Sequence, residues 1–243
     1  MKLWLAAALA LTVVACAPRS DDRDDARGRG AQPSVAPPAS AAAPAPPSAP
    51  PSVGARPRIA VLGDSLTAGL GVPKAAAYPS LLQEHLDADR LDFEVVNAGV
   101  SGDTSAGGLA RLDWALDGDV RVLIVALGAN DGLRGLPAEE LRRNLAEIIE
   151  RAQARGITVV LAGMEAPPNY GRDYIISFHT VYPTLAAHYR VAFVPFLLQG
   201  VAGHDALNQP DGIHPTAAGA RIVADNVWAV LKPIAEARRR PTT

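Results

Sequence analysis

The sequence predicts an α/β fold, a three-layer α-β-α sandwich around a five-stranded parallel sheet. Three observations predict it. From Arg58 onward, five short runs rich in β-branched residues alternate with segments of helical spacing. Strand then helix, repeated, implies parallel strands joined by right-handed crossovers, with helices on both faces. The runs are almost continuously apolar, which suits strands covered on both sides. The first three also lead into small, polar, glycine-rich turns, and open parallel sheets bind ligands beyond the carboxyl ends of their strands.

The predicted strands are residues 59–62, 93–96, 120–126, 158–162 and 191–196, and the predicted helices are 78–86, 105–116, 137–155, 174–189 and 217–231. Pro137 suits a first helical turn, where its missing N–H costs nothing, and Gly156 suits the position just past a last one. Between the fourth strand and its helix, residues 164–174 contain Pro167-Pro168 and Gly171 and read as a long irregular loop at a strand's carboxyl end.

With 243 residues, 49% of them hydrophobic and 20% charged, the chain is long enough for one well-buried domain plus a segment that does not fold. The domain is placed at residues 58–235. A net charge of −2, with basic residues scattered apart from the short run Arg238 to Arg240 in a tail at 236–243, argues against nucleic acid as a partner. Residues 17–57 join a charged patch to a Pro, Ala and Ser stretch without period. Such a composition buries too little apolar surface to offset its ordering entropy, and it reads as a disordered tether with polyproline character.

Met1-Lys2 and the apolar run 3–14 have the form of a secretory signal, too short for a comfortable membrane span. The single cysteine, Cys16, follows Val13-Val14-Ala15. This stretch resembles the lipobox of bacterial lipoprotein precursors, in which the cysteine is lipidated and becomes the new N-terminus. The resemblance implies an exported protein with residues 1–16 as signal and lipidation site, held to a membrane through an N-terminal lipid anchor. Ala17, where an aspartate would favour retention at the inner membrane, points to the outer one in an organism that has both. One cysteine allows no intrachain disulfide, so the domain is held by its core alone.

The turns after the strands carry the chemistry. Gly63-Asp64-Ser65-Leu66-Thr67 follows the first strand, the segment from Asn97 to Thr104 the second, and Gly128-Ala129-Asn130-Asp131-Gly132 the third; Asp211-Gly212-Ile213-His214-Pro215 introduces the last helix. Converging on one face, they assemble a hydroxyl nucleophile, an imidazole base, a carboxylate to orient it and hydrogen-bond donors for an oxyanion, which is the inventory of a serine hydrolase.

At these residues the chain resembles the SGNH hydrolases, also called the GDSL family of esterases and lipases. Gly63-Asp64-Ser65-Leu66 matches the block that names the family, Gly102 and Asn130 fall where it places two oxyanion donors, and Asp211-x-x-His214 matches its closing motif. Within the superfamily the similarity is greatest to the periplasmic thioesterase, lysophospholipase and arylesterase type, through Ser101 to Thr104, Asn130 to Gly135 and Asn169 to Arg172. The resemblance covers about residues 58–232. It implies a flavodoxin-like fold and a cofactor-free, metal-free ester hydrolase acting on arylesters, short or medium acyl esters, lysophospholipids or acyl thioesters. In the enzymes it resembles, the region of Pro168, Asn169 and Tyr170 helps line the acyl site.

Each role has a physical reason. A hydroxyl is a weak nucleophile, so Ser65 needs His214 to take its proton and return it to the leaving group, which requires a neutral imidazole within hydrogen-bond reach. Asp211 on the same loop can reach the other ring nitrogen and fix the tautomer. The backbone N–H groups of Ser65 and Gly102 and the Asn130 amide are the expected oxyanion donors, one such donor typically contributing about 2.7 to 4 kcal/mol of barrier lowering. The pattern is not that of an α/β-hydrolase, because the serine lies between Gly63 and Thr67 rather than in G-x-S-x-G.

Bland roles are expected for the rest. Asp64 braces its turn, Asp103 and Thr104 cap a helix, and Asp131 is structural. His85, His179 and His188 lack metal-ligand spacing, and His204-Asp205 imitates the dyad without its spacing. Two other functions fit the same residues: removal of acetyl groups from a cell-wall polysaccharide, or a non-catalytic binding module on the same fold.

Overall fold

The structure, a computed structural model, describes residues 56–238. The signal-like segment with Cys16, residues 17–55 of the expected tether and residues 239–243 of the basic tail lie outside the described residues.

Five strands, β1 (Arg58–Gly63), β2 (Glu94–Gly99), β3 (Val120–Ala126), β4 (Thr158–Ala162) and β5 (Ala192–Val194), lie in the order β2-β1-β3-β4-β5. Every neighbouring pair is parallel. The expected α/β sandwich is therefore the fold observed. Ile59 to Leu62 in β1 and Val122 to Val125 in β3 are wholly buried, which is why both read as unbroken apolar runs. Strand order reverses between β1 and β3, and that switch point opens a crevice at the carboxyl edge. The register aligns the edge: Gly63 stands opposite both Gly99 and Ala126, so three strands release their turns side by side.

Helix α2 (Tyr78–Ala88) packs on α8 (Ala217–Arg238), whereas α3 (Ser105–Ala110), α6 (Ala138–Ala154) and α7 (Arg172–Tyr189) pack in sequence on one another. Right-handed crossovers put these two groups on opposite faces of the sheet. Helix α6 shows how the sequence dictates the packing. Leu141, Leu145, Ile148, Ile149 and Ala152 are buried at spacings of one helical stripe, and Glu139 and Glu140 lie in the first turn behind Pro137, where carboxylates favour the helix dipole. Burying each large aliphatic side chain contributes about 1.5 to 3 kcal/mol.

The boundaries differ from the sequence expectation at identifiable places. The helix expected over 105–116 breaks at Arg111 into α3 and α4 (Leu112–Ala115), because the Arg111 guanidinium turns inward to the Gly63 and Ala98 carbonyls at the strand ends and to the Asp103 carboxylate. The strand expected over 191–196 stops at Val194, before Pro195, which has no N–H to continue a ladder. The last helix runs past Leu231 through Pro233 to Arg238, three residues beyond the boundary placed at 235. Leu231 and Ala235, both wholly buried on either side of the proline, hold that turn against the core. At the other end Pro57, assigned to the tether, is buried and its carbonyl accepts the Glu94 N–H at 2.9 Å. The irregular segment 164–174 is shorter than expected, since Pro168–Tyr170 forms a 3₁₀ turn and α7 starts at Arg172. Two glycine-rich turns are one-turn helices, α1 (Ser65–Ala68) and α5 (Ala129–Leu133). Among the described residues no helix is long and apolar enough to cross a membrane.

Candidate active site

Ser65 is the first residue of α1, directly beyond β1, so no carbonyl of that helix is available to its N–H. Asp64 caps this helix. Its wholly buried carboxylate accepts the Leu66 N–H at 3.0 Å and faces the Asn130 amide at 3.3 Å. Burial pushes the Asp64 pKa up to about 6, although the Leu66 N–H and the nearby His214 pull it down. Asp64 thus braces the turn, as expected.

The segment carrying Asp211 and His214 is a small hairpin. Asn208 and Pro215 pair across it, and Gln209 N–H donates to the His214 carbonyl at 2.7 Å. Asp211 folds onto its own loop, one carboxylate oxygen accepting the Ile213 and His214 N–H groups at 2.9 and 3.0 Å. Its other oxygen lies 2.7 Å from His214 Nδ1. The two backbone N–H bonds, joined by the imidazole, hold the Asp211 pKa down to about 2. An ionised carboxylate can only accept, so Nδ1 carries the hydrogen and Nε2 is left as acceptor. His214 Nε2 stands 2.9 Å from Ser65 Oγ, the right distance to accept the serine proton. Ser65, His214 and Asp211 therefore form one continuous hydrogen-bonded line.

Gly102 lies on the turn after β2 with φ of +86°, a conformation that favours glycine, and a Cβ there would meet only the Arg134 guanidinium, at 3.9 Å. Its carbonyl accepts from the exposed Arg134 guanidinium at 2.8 Å. The Asn130 amide, at the start of α5, donates to the Asp103 carbonyl at 2.9 Å and faces Asp64 at 3.3 Å. Beneath them Arg111 binds the Asp103 carboxylate at 2.6 Å, the Ala98 carbonyl at 2.7 Å and the Gly63 carbonyl at 2.8 Å. One guanidinium thus joins the ends of β1 and β2 to the Gly102 turn. Asp103 serves this ion pair rather than capping a helix; Thr104 alone caps α3. Buried Asp131 accepts from the Ser105 N–H and hydroxyl at 2.8 and 2.6 Å and is structural.

A narrow apolar recess lies beside the Ser65–His214 contact, with Leu66, Leu70, Tyr78 and Leu198 in its walls. Pro168, Asn169 and Tyr170 do not line it. They are exposed, and the Tyr170 hydroxyl donates to the Leu133 carbonyl at 2.8 Å, which ties this turn to the end of α5. The other histidines have structural partners: His85 stacks on Trp228, His179 meets Glu165 at 2.7 Å and His188 packs edge-on against Tyr189. His204 is exposed, with no bond to Ser65. Among the described residues no three His, Cys, Asp or Glu side chains gather as metal ligands.

Sequence reasoning missed Arg111, Arg134 and Gln209. Arg111 and Arg134 stand between apolar residues and glycines and Gln209 beside a proline, and only their partners, distant in the chain, distinguish them.

Residues 61–222 match the model of the GDSL-like lipase/acylhydrolase family. The chain belongs to this family. Relatives within the GDSL group agree. Esterase TesA of Pseudomonas aeruginosa is 47% identical over 175 residues, covering 72% of this chain and 87% of that protein. Thioesterase 1/protease 1/lysophospholipase L1 of Escherichia coli is 38% identical over 175 residues, covering 72% and 83%. The crystal structure of the psychrotrophic esterase EstA from a Pseudoalteromonas species, inhibited by monoethylphosphonate, superposes with a TM-score of 0.70 at 32% identity over 74% of this chain and 98% of EstA. The GDSL blocks read in the sequence thus fall inside the matched span, with Ser65, Asn130 and His214 among them.

Proposed function

We propose that this serine esterase hydrolyses carboxylic esters through an acyl-enzyme on Ser65, with His214 as general base and acid and Asp211 as its orienting carboxylate. The observation that carries the reading is the unbroken line from Ser65 Oγ to His214 Nε2 at 2.9 Å and from Nδ1 to Asp211 at 2.7 Å. As Ser65 attacks the ester carbonyl, its proton passes to Nε2; the imidazolium then protonates the departing alcohol. Water, deprotonated by the same nitrogen, attacks the acyl-enzyme and releases the acid. The oxyanion forms beside the N–H groups of Ser65 and Gly102. The Asn130 hydrogen facing Asp64 across 3.3 Å is the weaker-held of its two and is the one to be turned to the oxyanion.

The substrates in this reading are arylesters, short to medium acyl esters, acyl thioesters and lysophospholipids, supported by the names of its relatives and by the apolar recess beside Ser65. In this reading the protein is exported and held through lipidated Cys16 to a membrane facing the periplasm or the cell exterior, the outer membrane in a cell that has one, supported by the signal-like run before that residue.

Purified Ser65→Ala is expected to lose hydrolysis of p-nitrophenyl butyrate and labelling by a fluorophosphonate, with an unchanged circular dichroism spectrum. Substantial activity in that variant would remove Ser65 as nucleophile.

A further inference from the structure

We propose that Gln209 is a positioning residue whose side-chain amide sets the distance between the nucleophile and the base; this rests on the acyl-enzyme reading above. Ser65 and His214 are 149 residues apart in the chain, and the residues just before His214, from Asp211 to Ile213, are exposed. The base loop therefore needs a tie to the nucleophile's segment. Gln209 supplies one. Its Nε2 carries two hydrogens, one given to the Leu70 carbonyl at 2.7 Å and the other to the Pro215 carbonyl at 3.0 Å.

Both ends of this bridge lead to the triad. The Leu70 N–H returns to the Ser65 carbonyl at 3.1 Å, closing the segment that leaves α1, and the Gln209 backbone N–H donates to the His214 carbonyl at 2.7 Å. The foot of the bridge is fixed as well, because buried Asn208 donates to the Val201 and His204 carbonyls at 2.6 and 3.0 Å. Gly71 records how closely the two segments approach. It has φ of +79°, and a Cβ there would lie 2.0 Å from Gln209 Oε1. A primary amide gives two hydrogens from one uncharged nitrogen to two facing carbonyls. A carboxylate of the same size has none to give at neutral pH.

The test uses the full chain and p-nitrophenyl butyrate. Gln209→Met, which keeps the length but removes both hydrogens, and Gln209→Glu are each expected to lower kcat about 10²-fold, the scale of a misplaced catalytic contact, with KM little changed. Because the base no longer reaches the hydroxyl, the residual rate of Gln209→Met should rise with hydroxide rather than follow an imidazole titration. Gly71→Ala should lower kcat in the wild-type background and lower it by a smaller factor in the Gln209→Met background, since part of its effect acts through the amide and the rest through the left-handed backbone at φ of +79°.

Folded Gln209→Met with wild-type kcat and pH profile would overturn the proposal, as would full additivity with Gly71→Ala. If Gln209→Met does not fold, Gln209→Glu and Gly71→Ala decide by the same kinetics; loss of fold in all three makes Gln209 a residue of the fold and also overturns the proposal. Ser65→Ala run in parallel separates the two readings. An active Ser65→Ala sinks the acyl-enzyme, whereas an inactive Ser65→Ala beside a fully active Gln209→Met sinks only the bridge.

Discussion

Asp64 and Asp211 are both carboxylates in strand-end loops, yet the structure drives them in opposite directions. Asp211 is 45% exposed at its side chain and meets three donors, so it stays ionised far into the acid range. Asp64 is wholly buried, and desolvation outweighs its donors. The consequence for stability has a definite sign. The folded carboxyl of Asp64 keeps its proton up to about pH 6, whereas the unfolded one releases it near 3.8. Between these values the native state binds more protons, so stability falls as pH rises and the loss is complete above the folded pKa. The shift corresponds to about 3 kcal/mol. Asp64→Asn removes this titration. Its unfolding free energy relative to wild type is therefore expected to improve by up to about 3 kcal/mol from about pH 4 to about pH 7. Denaturant unfolding at stepped pH reads this slope, and a difference independent of pH would refute it. Sequence alone marked Asp64 as a turn brace, because Gly-Asp-Ser turns use such side chains locally. Its wholly buried state depends on Tyr78, Asn130 and other residues that the fold brings around it.

At the scale of elements, β2 is one edge of the sheet, and the chain covers it with side chains. Gln83 of α2 accepts the Val95 N–H at 2.8 Å and donates to the Phe93 carbonyl at 3.0 Å, the pattern a neighbouring strand would supply. Asn97 accepts the Gly99 N–H at 2.9 Å and donates to the Thr67 carbonyl at 2.8 Å, which also ties the strand to α1. Unpaired edges invite pairing with another chain. Gln83→Ala is expected to lose about 1 to 3 kcal/mol, the worth of two part-buried hydrogen bonds, and to raise light scattering on prolonged incubation. An unchanged melting midpoint together with unchanged scattering would show that the edge needs no cover. The strands were legible in the sequence because their burial writes apolar runs directly into it. The break at Arg111 was not, because residues 105–116 keep helical spacing throughout. What interrupts them is a guanidinium drawn to oxygens of β1 and β2.

For the molecule as a whole, the catalytic domain accounts for residues 56–238, and the proposed anchor makes Cys16 the point at which it meets a membrane. Cells fed labelled palmitate are expected to yield a labelled product from the wild-type chain and none from Cys16→Ser, with esterase activity retained in the variant. Equal labelling of both would remove Cys16 as the lipidation site. Activity should survive the change because the triad and its supports all lie within the described domain.

The sequence by itself determined the layer order, the five parallel strands and the reacting groups, since apolar runs, turn residues and side-chain chemistry are local properties. It paired Ser65 with His214 but not with what holds them together. Their 2.9 Å contact depends on the register that aligns Gly63 with Gly99 and Ala126, and on the close approach of the segments around Leu70 and Gln209. Only the tertiary structure decided that approach, because the bonds that make it cross long stretches of chain between residues with no distinguishing local pattern.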